Sequence, residues 1–361
     1  MSDHKGSAGI KEIARALDVS IGTVDRALHG RAGVSEKTKS RVLQMAERMG
    51  YKPNLAAQAL KLNRKLSIAV ILPKHISHFF DPLRTGIRSA AMAAVGMQIS
   101  VSFHEFPRLG VGEVEALEAA VPHRYDGIIF MPGDMRKVEP LIRKLSRNGT
   151  AMMCVGNDAP NSERIGSVAS HGSVSGAIAA ELLAMNLPRK AQVAVFSGDL
   201  HTLDHAEKLR GLAATLAVQA PHLTLLPALE NHEQPKQAYQ QALALMKSKD
   251  RPQGLYLSTA NSMPVLKALD ELGLLGKVQI VTTDLFQELV PLIEFGKVIA
   301  TIYQRPHTQG KVAFEQLVRH LQGGDTAQSS IRLAPHVIFR SNLSLFSDRL
   351  AGTEDESDTE L

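Results

Sequence analysis

Residues 10–50 have the sequence IKEIARALDVSIGTVDRALHGRAGVSEKTKSRVLQMAERMG. The first eight residues, IKEIARAL, carry their apolar side chains at the spacing of one helix face. Ser20 and Ser35 each stand where an N-cap is expected, before the segments 21–30 and 36–50. Two short helices joined by a tight turn and braced by a third predict a helix-turn-helix.

The second of these helices is predicted to carry a DNA-contacting face. Val24 and Ala27 are spaced to pack on the first helix, which turns the other face outward. The recognition helix of such a motif lies in the major groove and aims its first residues at base edges. Arg26 can donate two hydrogen bonds to guanine or bind a phosphate, while Ser20 and Thr23 can bind phosphates. An ordinary solvated three-helix bundle is the alternative.

Positive charge is concentrated at the same end of the chain. Residues 1–65 carry thirteen Lys and Arg against six Asp and Glu, a net charge of +7, whereas the whole chain carries +5 and the other 296 residues therefore −2. A basic segment attached to a near-neutral body is typical of a nucleic-acid-binding domain fused to a different domain. Residues 341–361 end in the acidic stretch GTEDESDTEL, which predicts a disordered tail.

From Leu66 onward, short apolar runs alternate with helix-length segments. Continuous apolar strands separated by helices predict parallel sheets that are covered on both faces. About ten runs exceed one comfortable sheet, so we expect two α/β lobes, with the chain passing between them near 156–166. The runs lie at 66–73, 98–103, 127–132, 150–156, 165–170, 191–198, 223–230, 254–259, 278–284 and 298–304.

The N-terminal segment resembles the DNA-binding domain of the lactose-repressor (LacI) family. The motifs I-A-x-x-L-x-V-S-x-x-T-V-x-R-x-L, V-S-x-x-T-x-x-x-V and G-Y-x-P-N-x-x-A-x-x-L occur in order within residues 13–60. The resemblance implies an all-α helix-turn-helix domain over residues 1–53, in which Ile21, Gly22 and Arg26 read bases. It also implies a hinge helix and linker over residues 54–65.

The hinge contacts to DNA are expected from Asn54, Ala57, Leu60 and Lys61. In the family, paired hinge helices insert a leucine into the minor groove, and Leu60 holds that position here. Such a wedge kinks the duplex at the expense of base stacking. Because a helix this short is marginal in water, we expect the hinge to need a partner to become ordered.

Three residues of the head depart from the family pattern. Asp18 occupies a turn position often held by glycine, and Asp is one of the residues that tolerate unusual backbone angles. Gly22 supplies no side chain for base contacts, and Asp25 stands where a small polar residue is usual and can repel phosphate. The operator sequence therefore does not follow from this helix.

Residues 66–340 resemble the effector-binding core of the same family, which is similar to periplasmic sugar-binding proteins. The resemblance implies two α/β lobes with parallel sheets that bind an effector between them and pair two subunits. Ligands of open α/β sheets bind beyond the carboxyl ends of strands, and an aromatic face with amide and carboxylate acceptors suits a polyhydroxylated ligand. The candidate ligand-binding residues are Phe79, Phe80, Asp204, His205, Arg210, Asn261, Asp284 and Gln304.

Two departures from the family bear on the ligand. The usual ligand-binding arginine aligns with Ala206, so a polar neighbour among the candidates above would replace it. Ala260 and Asn261 stand where an Asn-Asp pair is usual, whereas Asp284 and Gln304 match family residues. These departures indicate a ligand other than the commonest hexoses, and pentoses, other hexoses, inositol-like polyols and purines remain open.

Other chemistries find little support in the sequence. His201 and His205 are four residues apart, which predicts one helix face, but no third metal ligand stands out, so we expect no metal site. GSVSG at 172–176 lacks the central serine of a nucleophile elbow, and no P-loop, G-x-G-x-x-G after the first strand or H-E-x-x-H occurs. The single Cys154 lies in an apolar run and cannot form an internal disulfide. We therefore expect no cofactor and no enzymatic activity.

The sequence as a whole predicts a cytoplasmic, homodimeric transcription regulator with repression as the family-level expectation. The first residues lack a signal-peptide core, and the apolar runs are too short to cross a membrane. The expected partners are a pseudo-palindromic double-stranded DNA operator and a small sugar or polyol. The alternatives are an α/β sugar-modifying enzyme with a DNA-binding head, and a transport receptor that does not bind DNA.

Removal of residues 1–62 tests the assignment of the head. We expect the truncated chain to lose DNA binding, because the deletion removes the recognition helix and the net positive charge of the head. Fluorescence anisotropy of a labelled duplex, recorded at several salt concentrations for both chains, measures the loss. Equal affinity of the truncated and full chains would contradict the assignment.

Overall fold

The computed structural model describes residues 10–28, 33–49, 65–94, 96–324 and 329–346. The chain separates into two units, residues 1–62 and residues 63–361. The described part of the first unit is helical, and the second unit is α/β. Both fold classes agree with the prediction.

The head consists of α1 (Ile10–Leu17), α2 (Ile21–Leu28) and α3 (Glu36–Arg48). Ser20 and Ser35 cap α2 and α3 as predicted, since each hydroxyl accepts a hydrogen bond from the backbone N–H three residues later, at 3.0 and 3.2 Å. Asp18, between α1 and α2, has φ 52°, the left-handed conformation that a glycine would adopt without strain. These local features set the angle at which α2 leaves the turn.

A small apolar core joins the three helices. Its buried members are Ile13, Ala14, Val24, Ala27, Val42 and Ala46. Val24 and Ala27 therefore lie on the inward face of α2, which confirms the predicted orientation. Ile21, Gly22 and Arg26 are exposed on the opposite face.

The first lobe of the second unit is built on a six-stranded sheet. Its strands are β1 (Leu66–Pro73), β2 (Ile99–Phe106), β3 (Gly127–Phe130), β4 (Ala151–Val155), β5 (Gly166–Ser170) and β12 (Ser329–Leu333), and its helices are α4 (Ser77–Ala93), α5 (Glu113–Ala120), α6 (Met135–Arg147) and α12 (Pro306–Leu321). The strand order is β12-β5-β4-β3-β1-β2, with every pair parallel. Val70 packs into the apolar cluster on one face and Ile71 into the cluster on the other, as a continuous apolar run predicts.

The second lobe repeats this plan. Its strands are β6 (Gln192–Ser197), β7 (Thr224–Leu225), β8 (Leu229–Glu230), β9 (Gly254–Leu257), β10 (Gln279–Thr283), β11 (Ala300–Tyr303) and β13 (His336–Ile338), and its helices are α7 (Gly172–Asn186), α8 (Leu203–Gln219), α9 (Pro235–Met246), α10 (Met263–Glu271) and α11 (Val290–Glu294). The order is β13-β11-β10-β9-β6-β7, and β8 also pairs with β6. Only the edge strand β13 is antiparallel to its neighbour among the described strands.

The chain passes between the lobes three times, after β5, after β11 and after β12. The predicted passage near 156–166 is wrong, because β5 at 166–170 pairs with β4 in the first sheet. Periodicity marks a strand as buried, but it does not say which sheet the strand joins. The short edge strands β12 and β13 gave no apolar run and were not predicted.

The folded core extends beyond the predicted boundary at residue 340. Leu343 is buried in the second lobe, and the ring of Phe346 lies 6.1 Å from the ring of Tyr303. Residues 341–346 therefore belong to the core rather than to the acidic tail. The hinge segment 54–64 and the tail residues 347–361 lie outside the described residues.

Glycines allow two pairs of helices to approach closely. In the first lobe, a Cβ on Gly86 of α4 would lie 2.0 Å from the carbonyl oxygen of His307 in α12. In the second lobe, a Cβ on Gly211 of α8 would lie 2.0 Å from the carbonyl oxygen of Ser173 in α7, so no side chain fits there. The contact between α7 and α8 holds α8 in position and therefore holds the side chains that α8 presents to the cleft.

We expect Gly211→Ala to destabilise the second lobe by about 1–3 kcal/mol or more, because the added methyl group meets the backbone of α7. Val218→Ala in the same helix is the matched control, since Val218 is 81% exposed and its truncation opens no cavity. Urea unfolding followed by circular dichroism gives the two midpoints. An unchanged midpoint for Gly211→Ala would mean that α7 and α8 can separate without loss of stability.

Candidate functional site

The outward face of α2 is the candidate DNA-contacting surface. Ile21 is 52% exposed, so its apolar side chain is available for contact. A Cβ on Gly22 would lie 3.9 Å from the guanidinium of Arg26, so the arginine extends along the first turn of the helix. The hydroxyls of Ser20 and Thr23 are 2.8 Å apart at the same end. The predicted contacts Asn54, Ala57, Leu60 and Lys61 lie outside the described residues.

A second candidate site is a cleft between the two lobes, with a cavity of about 40 Å³ inside a recess of about 360 Å³ that includes open solvent. It lies at the carboxyl ends of strands, where ligands bind in open α/β sheets. Its apolar lining comes from Ile76, Phe79, Phe80, Leu109, Met131, Gly156 and Ala260. Its polar lining comes from Asp204, His205, Lys208, Glu233 and Gln304.

Two phenylalanines form the apolar wall. Phe79 and Phe80 begin α4 directly after β1, and their rings meet edge to face, with centroids 5.1 Å apart and planes at 86°. Both rings are buried, which fixes the wall before any ligand binds. An apolar wall of this kind can contact the C–H face of a sugar or polyol ring or a planar base.

A chain of buried polar groups crosses the floor of the cleft. The ammonium of Lys208 donates to Asp204 Oδ2 at 2.6 Å and to Gln304 Oε1 at 2.8 Å. The backbone N–H and the side-chain amide of Gln304 in turn donate to the two carboxylate oxygens of Asp284, at 3.0 and 2.6 Å. Lys208 is only 1% exposed, so its charge depends on these partners.

Burial and neighbouring charges shift the pKa values of two groups in this network. Burial opposes the charge of Lys208, but the carboxylate of Asp204 holds the pKa of the ammonium above its usual value. Burial raises the pKa of Asp284, against the opposing effects of Lys208 and the donors of Gln304. Asp204 Oδ1 is buried and has no hydrogen-bond partner among the described residues, so it can accept a hydrogen bond from a ligand.

A second polar group lies around Glu233. The hydroxyl of Thr259 donates to the Glu233 carboxylate, 2.7 Å from each oxygen, and His205 Nε2 lies 3.5 Å from Oε1. His205 Nδ1 hydrogen-bonds the backbone of Asp199. A Cβ on Gly198 would lie 2.2 Å from the Glu233 carboxylate and 2.3 Å from the His205 ring, so only glycine fits after β6.

Direct hydrogen bonds hold the lobes together around the cleft. His78 of the first lobe bonds the Ala260 carbonyl of the second through Nε2 at 2.9 Å, and its ring centroid lies 4.4 Å from that of Phe286. Asn157 of the first lobe accepts from the backbone N–H of Asp204 at 3.1 Å. A ligand that enters the cleft must therefore replace or preserve bonds between the lobes.

The structure brings together five of the eight predicted ligand residues, namely Phe79, Phe80, Asp204, His205 and Gln304. Asp284 lies behind Gln304 and supports it. Asn261 adjoins the lining residue Ala260 but is not itself part of the lining.

Arg210 does not line the cleft, so the structure does not bring it together with the other predicted ligand residues. Its side chain is exposed and bonds the Ala206 carbonyl on the outer face of α8. The positive charge in the cleft lining belongs instead to Lys208, two residues after Ala206, which was not among the predicted residues. Its spacing of four residues from Asp204 was the available signal, since such a pair shares one helix face. Nothing local indicated Glu233, which reaches the cleft from a turn where it has φ 56°.

Two further observations bear on other functions. Burial raises the pKa of the Cys154 thiol to about 12, so the thiol is neutral at physiological pH and is not an activated nucleophile. In the part of the chain that the structure describes, none of the helices combines the length and the apolar character needed to span a membrane.

Comparison with known proteins gives matches over both units. Residues 9–54 match the family described as bacterial regulatory proteins, lacI family, and residues 68–325 match the periplasmic binding protein domain. The chain is 24% identical over 347 residues to the HTH-type transcriptional repressor PurR of Aliivibrio fischeri, covering 93% of this chain and 98% of that protein. It is 32% identical over 127 residues to catabolite control protein A of Priestia megaterium, covering 35% and 37%.

The fold of the second unit also matches solved structures. A solute-binding protein of an ABC transporter from Burkholderia graminis, in complex with D-arabinose, superposes with a TM-score of 0.72 at 21% identity. The match covers 78% of this chain and 97% of that chain. The two-lobed architecture is therefore that of periplasmic binding proteins.

We expect Lys208→Met to destabilise the protein by about 3–5 kcal/mol, because it leaves the buried carboxylate of Asp204 without its partner. Lys208→Met with Asp204→Asn should recover part of that loss, since the uncompensated charge is then gone. Lys236→Met, at an exposed lysine of α9, is the control. Urea unfolding of the four proteins measures the coupling, and a double variant no more stable than Lys208→Met would contradict the pairing.

Proposed function

The chain belongs to the lacI family of bacterial regulatory proteins, and we propose that it is a cytoplasmic, homodimeric repressor whose effector is a small polyhydroxylated molecule. The effector occupies the cleft between the lobes and changes the affinity of the head for a pseudo-palindromic operator. The protein has no enzymatic activity in this proposal. The repressors PurR and catabolite control protein A, to which the chain is similar, support the regulatory part.

The cleft is the observation that carries the effector proposal. Its apolar wall of Phe79 and Phe80 faces its polar floor of Asp204 and Lys208. A polyol or sugar ring presents an apolar face and a rim of hydroxyl groups, so it matches both surfaces at once. The unpaired Asp204 Oδ1 favours a ligand with a hydrogen-bond donor at that position. The likeness to a solute-binding protein solved with D-arabinose agrees with this class of ligand.

The outward face of α2 carries the DNA-binding proposal. Arg26 can bind guanine through two hydrogen bonds, Ile21 can contact a thymine methyl group, and Ser20 and Thr23 can bind phosphates. Two heads in a dimer present two such helices to successive half-sites, which explains the expectation of a pseudo-palindrome. The hinge residues, with Leu60 as the wedge, complete the proposed contacts.

Effector and operator are coupled in this proposal through the arrangement of the lobes. Hydrogen bonds such as that between His78 and the Ala260 carbonyl stabilise the arrangement of the lobes described above. An effector that strengthens or replaces these bonds changes the relative stability of that arrangement. The resulting shift moves the hinge segments of the two subunits and alters DNA affinity. Such coupling typically amounts to about 1–3 kcal/mol, and the operator must change effector affinity by the same factor.

The experiment is operator binding by fluorescence anisotropy with duplexes from upstream of the protein's own gene, titrated with and without a panel of pentoses, hexoses, inositols and purines. We expect tight, salt-sensitive binding that one compound changes about 5- to 150-fold, the range of typical allosteric coupling. Arg26→Ala should weaken binding, by about 1–3 kcal/mol if it reads a base. Lys267→Ala, at an exposed lysine of α10 in the second lobe, should leave DNA binding unchanged.

The outcomes separate the parts of the proposal. Specific binding that no compound alters would retain the DNA-binding function and reject these effector classes. Turnover of any compound in the panel would favour a sugar-modifying enzyme. The absence of specific binding at every salt concentration would reject the regulator altogether.

A further inference from the structure

Two neighbouring loops of the second lobe carry the same pattern of residues. Asp199 and His201 follow β6 with one residue between them, and Glu230 and His232 are spaced in the same way at the end of β8. The two strands pair in parallel, with Ser197 opposite Glu230, so both loops leave the same edge of the sheet side by side. The fold thus brings two carboxylates and two imidazoles together from segments that are far apart in the sequence.

The distances among these groups suit a metal ion. His201 Nδ1 lies 2.9 Å from Asp199 Oδ1, and His232 Nδ1 lies 3.5 Å from Asp199 Oδ2. Ligand atoms of Asp199, His201 and Glu230 all lie within 4.8 Å of one another. Two ligands bound to one tetrahedral ion at about 2.0 Å each are separated by about 3.3 Å, so side-chain rotations are required to bring the ligand atoms of Asp199, His201 and Glu230 to that distance. His232, which lies beside Asp199, must also rotate toward the other two to become the fourth ligand.

We propose that Asp199, His201, Glu230 and His232 bind a divalent transition-metal ion of the zinc type at the rim of the cleft. Imidazole nitrogens and carboxylate oxygens are ligands that Zn²⁺ accepts, whereas Mg²⁺ and Ca²⁺ prefer oxygen ligands alone. Backbone contacts already orient the two carboxylates. Asp199 Oδ1 accepts from the N–H of His201, and Glu230 Oε2 accepts from the N–H of Leu200, each at 2.8 Å.

The prediction that no metal site exists rested on a different pair of residues. The sequence suggested that His201 and His205 share a helix face, but α8 begins at Leu203, so His201 lies in the loop before it. His205 is instead buried beside Glu233 in the cleft. The other residues of the proposed site, Glu230 and His232, lie at the end of β8 and in the loop after it, and the pairing of β6 with β8 brings them close to His201.

The site is connected directly to the cleft. The backbone of Asp199 bonds His205, and His232 immediately precedes Glu233, so both loops that would hold the ion also hold lining residues. Arg108 of the first lobe donates to the His232 carbonyl at 3.1 Å. His232 and Glu233 have φ 50° and 56°, a strained turn that a bound ion would help to hold. Metal binding is therefore expected to stabilise this turn and the contact between the lobes.

The test uses full-length, tag-free, metal-depleted protein titrated with Zn²⁺ in a calorimeter, and with Co²⁺ followed by visible absorption. We expect saturable binding of one ion per chain. His201→Ala with His232→Ala should weaken it by at least about tenfold, since even outer-shell partners of metal ligands often contribute that much. His123→Ala with His171→Ala removes two exposed imidazoles elsewhere and should leave the binding unchanged. Circular dichroism verifies that both double variants are folded.

Two results would overturn the proposal. One is the absence of saturable Zn²⁺ binding to the unsubstituted chain, which would leave the four residues as a hydrogen-bonded surface cluster. The other is equal Zn²⁺ affinity for the His201→Ala, His232→Ala variant and the unsubstituted chain, which would mean an adventitious ion only. Neither result depends on DNA or on an effector, so the repressor proposal stands or fails separately.

Discussion

The buried ammonium of Lys208 is the interaction on which the arrangement of the cleft depends. A charge that is almost fully removed from water is tolerable only when opposite charge and hydrogen-bond acceptors surround it. Asp204 and Gln304 provide these partners, and Gln304 is in turn held by Asp284. Because Asp204 and Lys208 lie on α8 while the other two residues follow β11 and β10, this network ties three elements of the second lobe to one another.

The position of Lys208 itself depends on backbone packing. The glycine contact between α7 and α8 allows the two helices to touch, and a Cβ on Gly176 would lie 1.9 Å from the carbonyl oxygen of Lys208. The backbone of Lys208 is therefore held against α7, while its ammonium is held by Asp204 and Gln304. Such preorganisation reduces the entropy lost when a ligand binds, and it makes the floor of the cleft a rigid template.

The first lobe contributes the apolar half of the cleft and the contacts that close it. Phe79 and Phe80 supply shape, whereas His78 and Asn157 bond the backbone of the second lobe. A ligand can influence the lobes only to the extent that it binds one arrangement better than another. An effector would therefore act through the contacts between the lobes. The hydrogen bond from Arg108 of the first lobe to the His232 carbonyl of the second is one of these contacts.

The helices of the head, the buried strands and the family could all be predicted from local features of the sequence. Ser20 and Ser35 cap helices through bonds to residues three positions away, and apolar runs mark strands because burial on both faces requires them. These features are local, so no knowledge of distant segments was needed. The aromatic pair and Gln304 were also predictable, since they directly follow strands and the carboxyl ends of parallel strands converge.

Three further features could be seen only in the folded chain: which sheet β5 joins, that Lys208 rather than Arg210 lines the cleft, and that Glu233 reaches the cleft. The same holds for the pairing of Asp199 and His201 with Glu230 and His232. Each of these outcomes depends on contacts between segments far apart in the chain or on the rotation of a helix about its axis. Which side chains of a helix are buried depends on the element that packs against it, and the residues next to the helix in the sequence do not identify that element.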